Sequence, residues 1–238
     1  MHLRCDGSGA STVLLIAGFT DGGDSWGELP ASLTDRARVC SYARFGTGTS
    51  DPPPSDQTFA TEAEDLRSLL EGAGEPGPYV VVGHSYGGPE AVTFAARFGT
   101  DVDGLLLIDA SPSTWYDTVC SVADDGSDMA QEFVDSCAAQ TDPARNPERL
   151  DATAAFAGVA AIDSLGDLPL IVVTAADRPY PGLATSEAAR LTEVWLEGQS
   201  HWTGLSTSSR LVRVDDVGHH VHLDRPDLVA DLARQLLP

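Results

Sequence analysis

Gly83-His84-Ser85-Tyr86-Gly87 has the pattern G-x-S-x-G. Such a serine suits nucleophilic chemistry when a strand precedes it and a helix follows, because the sharp turn lifts its hydroxyl clear of the backbone. Tyr79-Val80-Val81-Val82 reads as the strand and Pro89 to Phe98 as the helix, so Ser85 is the candidate nucleophile. A serine hydroxyl attacks poorly until a base takes its proton. Val217-Gly218-His219-His220-Val221-His222 follows the last expected strand, and His219, directly after the loop glycine, is the candidate base. The three histidines also raise a metal site. Their H-H-x-H spacing lacks the i, i+4 pair of a helical metal motif, so no metal is expected. His220 and His222 are expected to be supporting residues. His84 should pack beneath the turn, and His2 and His201 should lie on the surface or in loops.

A third group must orient the imidazole and stabilise its charged form. Asp109 and Asp177 both qualify, because each closes an expected strand after the serine. Asp177 has the more usual chain position, whereas Arg178, Pro179 and Pro181 suggest a structural turn there. The two stay close to even, with a narrow preference for Asp109. An oxyanion needs two backbone N–H donors. The residue after the nucleophile, Tyr86, offers one, and Phe19 in the Gly-rich loop Ala17 to Gly23 offers the other. That loop has no basic residue and no G-x-G-x-x-G, so phosphate binding is not expected.

These groups need a sheet to hold them. Val13 to Ala17, Val39 to Tyr42, Tyr79 to Gly83, Leu105 to Asp109, Leu170 to Thr174 and Ser209 to Val214 read as strands. Helices are expected over Glu28–Leu33, Thr61–Glu71, Pro89–Phe98, Ser186–Leu196 and Pro226–Leu236. Alternating strands and helices imply a parallel sheet covered on both faces. Residues 112–167 interrupt the alternation with an acidic stretch that holds no expected strand. The expectation is a core of residues 1–111 and 168–238 carrying a small inserted cap at 112–167, helical at Ala130–Ala139 and Pro147–Val159.

Composition narrows the chemistry. The chain has 238 residues, 14 basic and 36 acidic, for a net charge of −22. That charge excludes electrostatic binding of nucleic acid or an anionic membrane. Every basic residue is arginine, so lysine Schiff bases and Ser–Lys dyads are ruled out. No apolar run is long enough to span a membrane. Cys5 and Cys40 sit in expected strands, and Cys120 and Cys137 flank one polar stretch. The expected disulfides are Cys5–Cys40 and Cys120–Cys137, which suit a secreted or extracytoplasmic protein. Met1-His2-Leu3-Arg4 does not read as a signal peptide, which fits either a trimmed mature end or a cytoplasmic protein.

Taken together, Gly18-Phe19, Arg44-Phe45-Gly46-Thr47-Gly48-Thr49-Ser50, Gly83 to Gly88, and Gly218-His219 with His222-Leu223-Asp224-Arg225-Pro226 resemble an α/β-hydrolase over essentially the whole chain. The Cys5 and Cys40 segments, Trp26, Gly74 to Tyr79 and Asp109-Ala110-Ser111 are most similar to secreted actinobacterial-type members. The resemblance implies an eight-stranded, mostly parallel sheet with an antiparallel strand near the start. It also places the Cys5 strand beside the Cys40 strand. Two positions depart from the family pattern: Ala17 stands where a histidine is usual, and Ala43 where an aspartate is usual. The expected activity is cofactor-free hydrolysis of small esters or related acyl compounds, with Trp26, Tyr86, Trp115 and Tyr116 lining the acyl pocket. Peptidase, lactonase, carbon–carbon hydrolase and perhydrolase chemistry stay open on the same machinery, as does a non-catalytic binding protein.

Overall fold

A computed structural model describes residues 1–122, 126–178 and 180–238. Pro179, used above to mark a turn, lies outside the described residues. The sheet strands are β1 (His2–Asp6), β2 (Thr12–Ile16), β3 (Arg38–Ala43), β4 (Tyr79–His84), β5 (Val102–Ile108), β6 (Leu170–Ala175) and β7 (Ser209–Val214). They lie in the order β1-β3-β2-β4-β5-β6-β7. All pairs are parallel except β1 with β3. The sheet thus has seven strands among the described residues, not eight, and the antiparallel strand expected near the start is β1.

Strands β2, β4 and β6 are buried along their whole length, because helices cover both faces. On one face Leu14, Ile16 and Val81 pack under α2 (Phe59–Ala73) and α3 (Gly87–Phe98). On the other, Val13, Leu15 and Val80 meet α1 (Leu29–Leu33) and α9 (Pro226–Arg234), which follows the one-turn helix α8 (Val221–Asp224). The strand β-branching and the apolar stripes of these helices fall where the sequence puts them. Helix α2 begins two residues earlier than expected because Thr58 and Thr61 form a capping box.

Between β5 and β6 lie α4 (Trp115–Cys120), α5 (Asp128–Thr141) and α6 (Ala152–Ala160). Helix α4 was not expected from sequence. A small apolar cluster of Val119, Val122, Phe133 and Leu191 binds α4 and α5 to α7 (Thr185–Gly204). Phe156 and Val159 of α6 instead belong to the main core. Cys5–Cys40 joins paired residues of β1 and β3, and Cys120–Cys137 joins α4 to α5. Both expected pairings are present, which suits an oxidising compartment. Among the described residues no helix is long and apolar enough to cross a membrane.

Candidate active site

Parallel strands bring their carboxyl ends to one edge, and loops there can meet even when far apart in sequence. Ser85 follows β4, Asp109 follows β5, and His219 follows β7. His84 and Ile108 are register partners, so Ser85 and Asp109 leave the sheet side by side. Both turn with positive φ, 52° at Ser85 and 41° at Asp109. Such backbone costs on the order of 1–3 kcal/mol and persists only where the surroundings enforce it. Here Ser85 N–H donates to Ile108 O at 3.1 Å and Asp109 N–H to Val173 O at 2.7 Å. The glycines of the turn are steric necessities. A Cβ at Gly83 would overlap Gly87 O, and one at Gly87 would overlap Ile16 O.

His219 bridges the two strand ends. Its Nε2 lies 2.9 Å from Ser85 Oγ, and its Nδ1 lies 2.6 Å from Asp109 Oδ2. Asp177, the other aspartate weighed, is exposed and has no described bond to His219. The Asp109 carboxylate is fully buried. Its Oδ1 accepts from Thr174 Oγ1 at 2.5 Å and from Trp195 Nε1 at 2.9 Å. Its Oδ2 accepts from both His219 and Arg178 Nη1. Burial alone would raise the Asp109 pKa, but the His219 hydrogen bond and the Arg178 charge bring it below the usual value. Burial holds the His219 imidazole below its ordinary pKa, and the Arg178 charge adds to this against the pull of Asp109.

His84, as expected, is buried beneath the turn, with its Nε2 3.1 Å from His219 O. His222 is buried too, and burial drops its pKa to about 4. Its ring packs 4.9 Å from that of Trp26. This relocates Trp26. It is 1% exposed in the α1–α9 face of the core, so it does not line the space above Ser85. Trp115 is half-buried and stands edge-on to Trp195 at 4.8 Å, and Trp195 in turn stands edge-on to His219 at 5.5 Å. Tyr116 is half-buried beside the main core.

Phe19 and Tyr86 lie together, with ring centroids 5.5 Å apart. Neither backbone N–H donates a hydrogen bond among the described residues. Tyr86 turns its ring inward, where its hydroxyl donates to Glu62 at 2.9 Å. That orientation removes the Tyr86 side chain from the expected acyl pocket. Beneath both residues lies a buried polar cluster. Arg44 donates to Ala17 O at 2.8 Å, to Gly18 O, to Glu148 Oε2 at 2.6 Å and to Glu90 Oε2 at 3.3 Å. Glu148 Oε1 accepts from the Thr20 N–H. One guanidinium therefore pairs with two carboxylates, Glu90 and Glu148, and its charge also acts on the buried Glu62. Burial raises Glu62 well above its usual pKa and brings Glu90 to about 7, so protonation relieves the excess negative charge.

Sequence reasoning missed Arg178, Thr174, Trp195 and Glu148. Trp195 and Glu148 have no local signal, since their partners lie 86 and 128 residues away. Arg178 did have one: it adjoins the aspartate weighed for the third role.

The fold and this cluster at the strand ends define an α/β-hydrolase. Residues 11–144, more than half of the chain, match the α/β-hydrolase fold family, and the chain belongs to it. An uncharacterised protein of Bacillus subtilis, YqjL, is 24% identical over 94% of this chain and 82% of its own length. A Mycobacterium tuberculosis lipase, LipV, is 35% identical over 60% of this chain and 49% of the lipase. A thermophilic esterase from Thermogutta terrifontis superposes with a TM-score of 0.67 at 21% identity, covering 98% of this chain and 91% of the esterase.

Proposed function

We propose that this protein is a serine hydrolase of carboxylic esters or related acyl compounds. The observation that carries the reading is the contact chain from Ser85 Oγ to His219 Nε2 at 2.9 Å and from His219 Nδ1 to Asp109 at 2.6 Å. In this mechanism Asp109 accepts a hydrogen bond from the His219 Nδ1–H and so leaves the Nε2 lone pair facing Ser85. His219 takes the Ser85 proton as Oγ bonds to the substrate carbonyl carbon. The carbonyl oxygen becomes an oxyanion and is received by the Phe19 and Tyr86 N–H groups. Imidazolium returns the proton to the leaving alcohol, and the C–O bond breaks. Water repeats the sequence on the acyl-enzyme, releases the acid and restores Ser85. Helices α4 and α5, with Trp115 and Tyr116, form the cap over the acyl group. The reading carries no metal or cofactor.

The test is hydrolysis of p-nitrophenyl esters, short to long acyl, by wild type and Ser85→Ala. Wild type is expected to turn over and the variant to lose activity by about 10⁴-fold or more. A variant as active as wild type would remove Ser85 from the chemistry. If wild type cleaves no ester yet Ser85 is labelled by an organophosphonate, the nucleophile stands and the substrate class is wrong. Absence of both turnover and labelling would favour a binding protein.

A further inference from the structure

Asp109 Oδ2 is claimed twice. His219 Nδ1 lies 2.6 Å from it, and Arg178 Nη1 donates to the same atom. The other oxygen has no capacity to spare, because Thr174 and Trp195 fill it at 2.5 and 2.9 Å. Arg178 Nη1 also stands 2.9 Å from His219 Nδ1. The arginine is not a loose surface group. Its guanidinium carbon lies 3.3 Å from the Trp195 ring centroid, its Nε donates to Tyr180 Oη at 2.9 Å, and its backbone oxygen accepts from Thr192 Oγ1 at 3.0 Å. A fixed cation thus stands against the bond that orients the base.

This arrangement changes the charge balance of the reaction. Where an aspartate faces a histidine alone, forming imidazolium completes a neutral pair. Here Arg178 already neutralises Asp109, so protonating His219 creates a net positive charge in a buried site. The other groups facing the imidazole do not reverse this. His84 packs beneath it at 4.7 Å between centroids, His220 adjoins it in the same loop at 5.2 Å, and Ser85 is uncharged. His222 lies beyond His84 at 4.4 Å and stays neutral until about pH 4. Asp109 is the acidic group in contact.

We propose that Arg178 is a positioning residue for the Asp109–His219 pair, and that by sharing Oδ2 it keeps His219 an unprotonated, working base into the acid range. The inference rests on the serine-hydrolase reading of Ser85 and His219. Arg178 stabilises the carboxylate but weakens its hold on imidazolium. The direction is unambiguous: a neighbouring positive charge disfavours a second one, so the acid limb of the pH–rate profile lies lower with Arg178 than without it.

Two measurements test this. The first follows the His219 ring nitrogens by ¹H–¹⁵N NMR in the Ser85→Ala protein, with and without Arg178→Met. The second records kcat/KM against pH for wild type, Arg178→Met and Arg178→Lys. His219 should titrate below the ordinary histidine value of about 6.5 when Arg178 is present. Arg178→Met, which keeps a stem over Trp195, should raise the midpoint and the acid limb by about one pH unit. Below the limb that is about a tenfold loss of kcat/KM. Arg178→Lys keeps the charge and should leave both near wild type. A His219 midpoint at or above about 6.5 in the Arg178-containing protein overturns the proposal, even if Arg178→Met fails to fold. So does an unmoved limb in Arg178→Met, or a limb in Arg178→Lys that moves as far as in Arg178→Met. If wild type cleaves no ester, the functional reading fails, while the NMR midpoint still decides the role of Arg178.

Discussion

Asp109 carries more than one duty, and its buried carboxylate shows how closely they are linked. It accepts four hydrogen bonds, from Thr174, Trp195, Arg178 and His219. An amide at this position would offer the wrong partner to at least one of these donors and lose the charge facing imidazolium. Asp109→Asn is therefore expected to cut kcat by about 10³–10⁴-fold, as the wrong imidazole tautomer becomes favoured. Asp177→Asn should leave kcat within about twofold, because exposed surface substitutions rarely propagate. Steady-state kinetics on one ester decides between them. A large loss in the Asp177 variant with an active Asp109 variant would exchange the two roles.

The elements are joined at the site by charge as well as by packing. Ala17 and Gly18 follow β2, Arg44 follows β3, Glu90 lies in α3, and Glu148 lies just before α6. Arg44 and Glu148 clamp the backbone that carries the Phe19 N–H. Ala17 enters this clamp through its carbonyl, which accepts from Arg44. Glu148→Ala would leave Arg44 with Glu90 as its carboxylate partner and the Thr20 N–H without its acceptor, and is expected to cost about 1–3 kcal/mol of stability. Glu148→Gln still accepts from Thr20 and should fold better. Its looser clamp should lower kcat by about tenfold or more while KM changes less, as expected when a transition-state donor is displaced. Chemical denaturation with ester kinetics on both variants checks this. An equal rise in KM with unchanged kcat would instead tie Glu148 to substrate binding.

At the scale of the whole molecule the dominant fact is its charge of −22, with a sequence pI near 4.3. Like charges spread over a compact surface repel one another, and salt screens that repulsion within a Debye length of about 10 Å at 0.1 M. Raising sodium chloride from about 0.01 to about 0.5 M should therefore raise Tm, by about 2–4 °C for each kcal/mol of repulsion relieved. A thermal melt series reads this directly. A Tm that falls with salt would mean that the exposed ion pairs, such as Arg225–Asp227, outweigh the repulsion.

Local patterns in the sequence determined much of this. Short apolar runs specified six of the strands, and the G-x-S-x-G turn located Ser85. The loop after the last strand located His219. These are short-range matters, in which sterics and periodicity within ten residues decide the conformation. The Cys5–Cys40 pairing was legible for the same reason, since both cysteines lay in expected strands, whereas Cys120 lies in α4, which no local pattern announced. What the sequence left open was whatever depends on which distant groups fill a buried space. Asp109 and Asp177 were nearly equivalent as strand-end aspartates, and only the packing of Trp195, Thr174 and Arg178 around one of them separates them. Trp26 reads from sequence as a pocket aromatic, but the packing of its loop buries it against His222 in the part of the core that α1 and α9 cover. The buried Arg44–Glu148 pair spans 104 residues and follows no period. Desolvation and hydrogen-bond satisfaction act through space, so these contacts are decided only once the sheet has brought its carboxyl ends together.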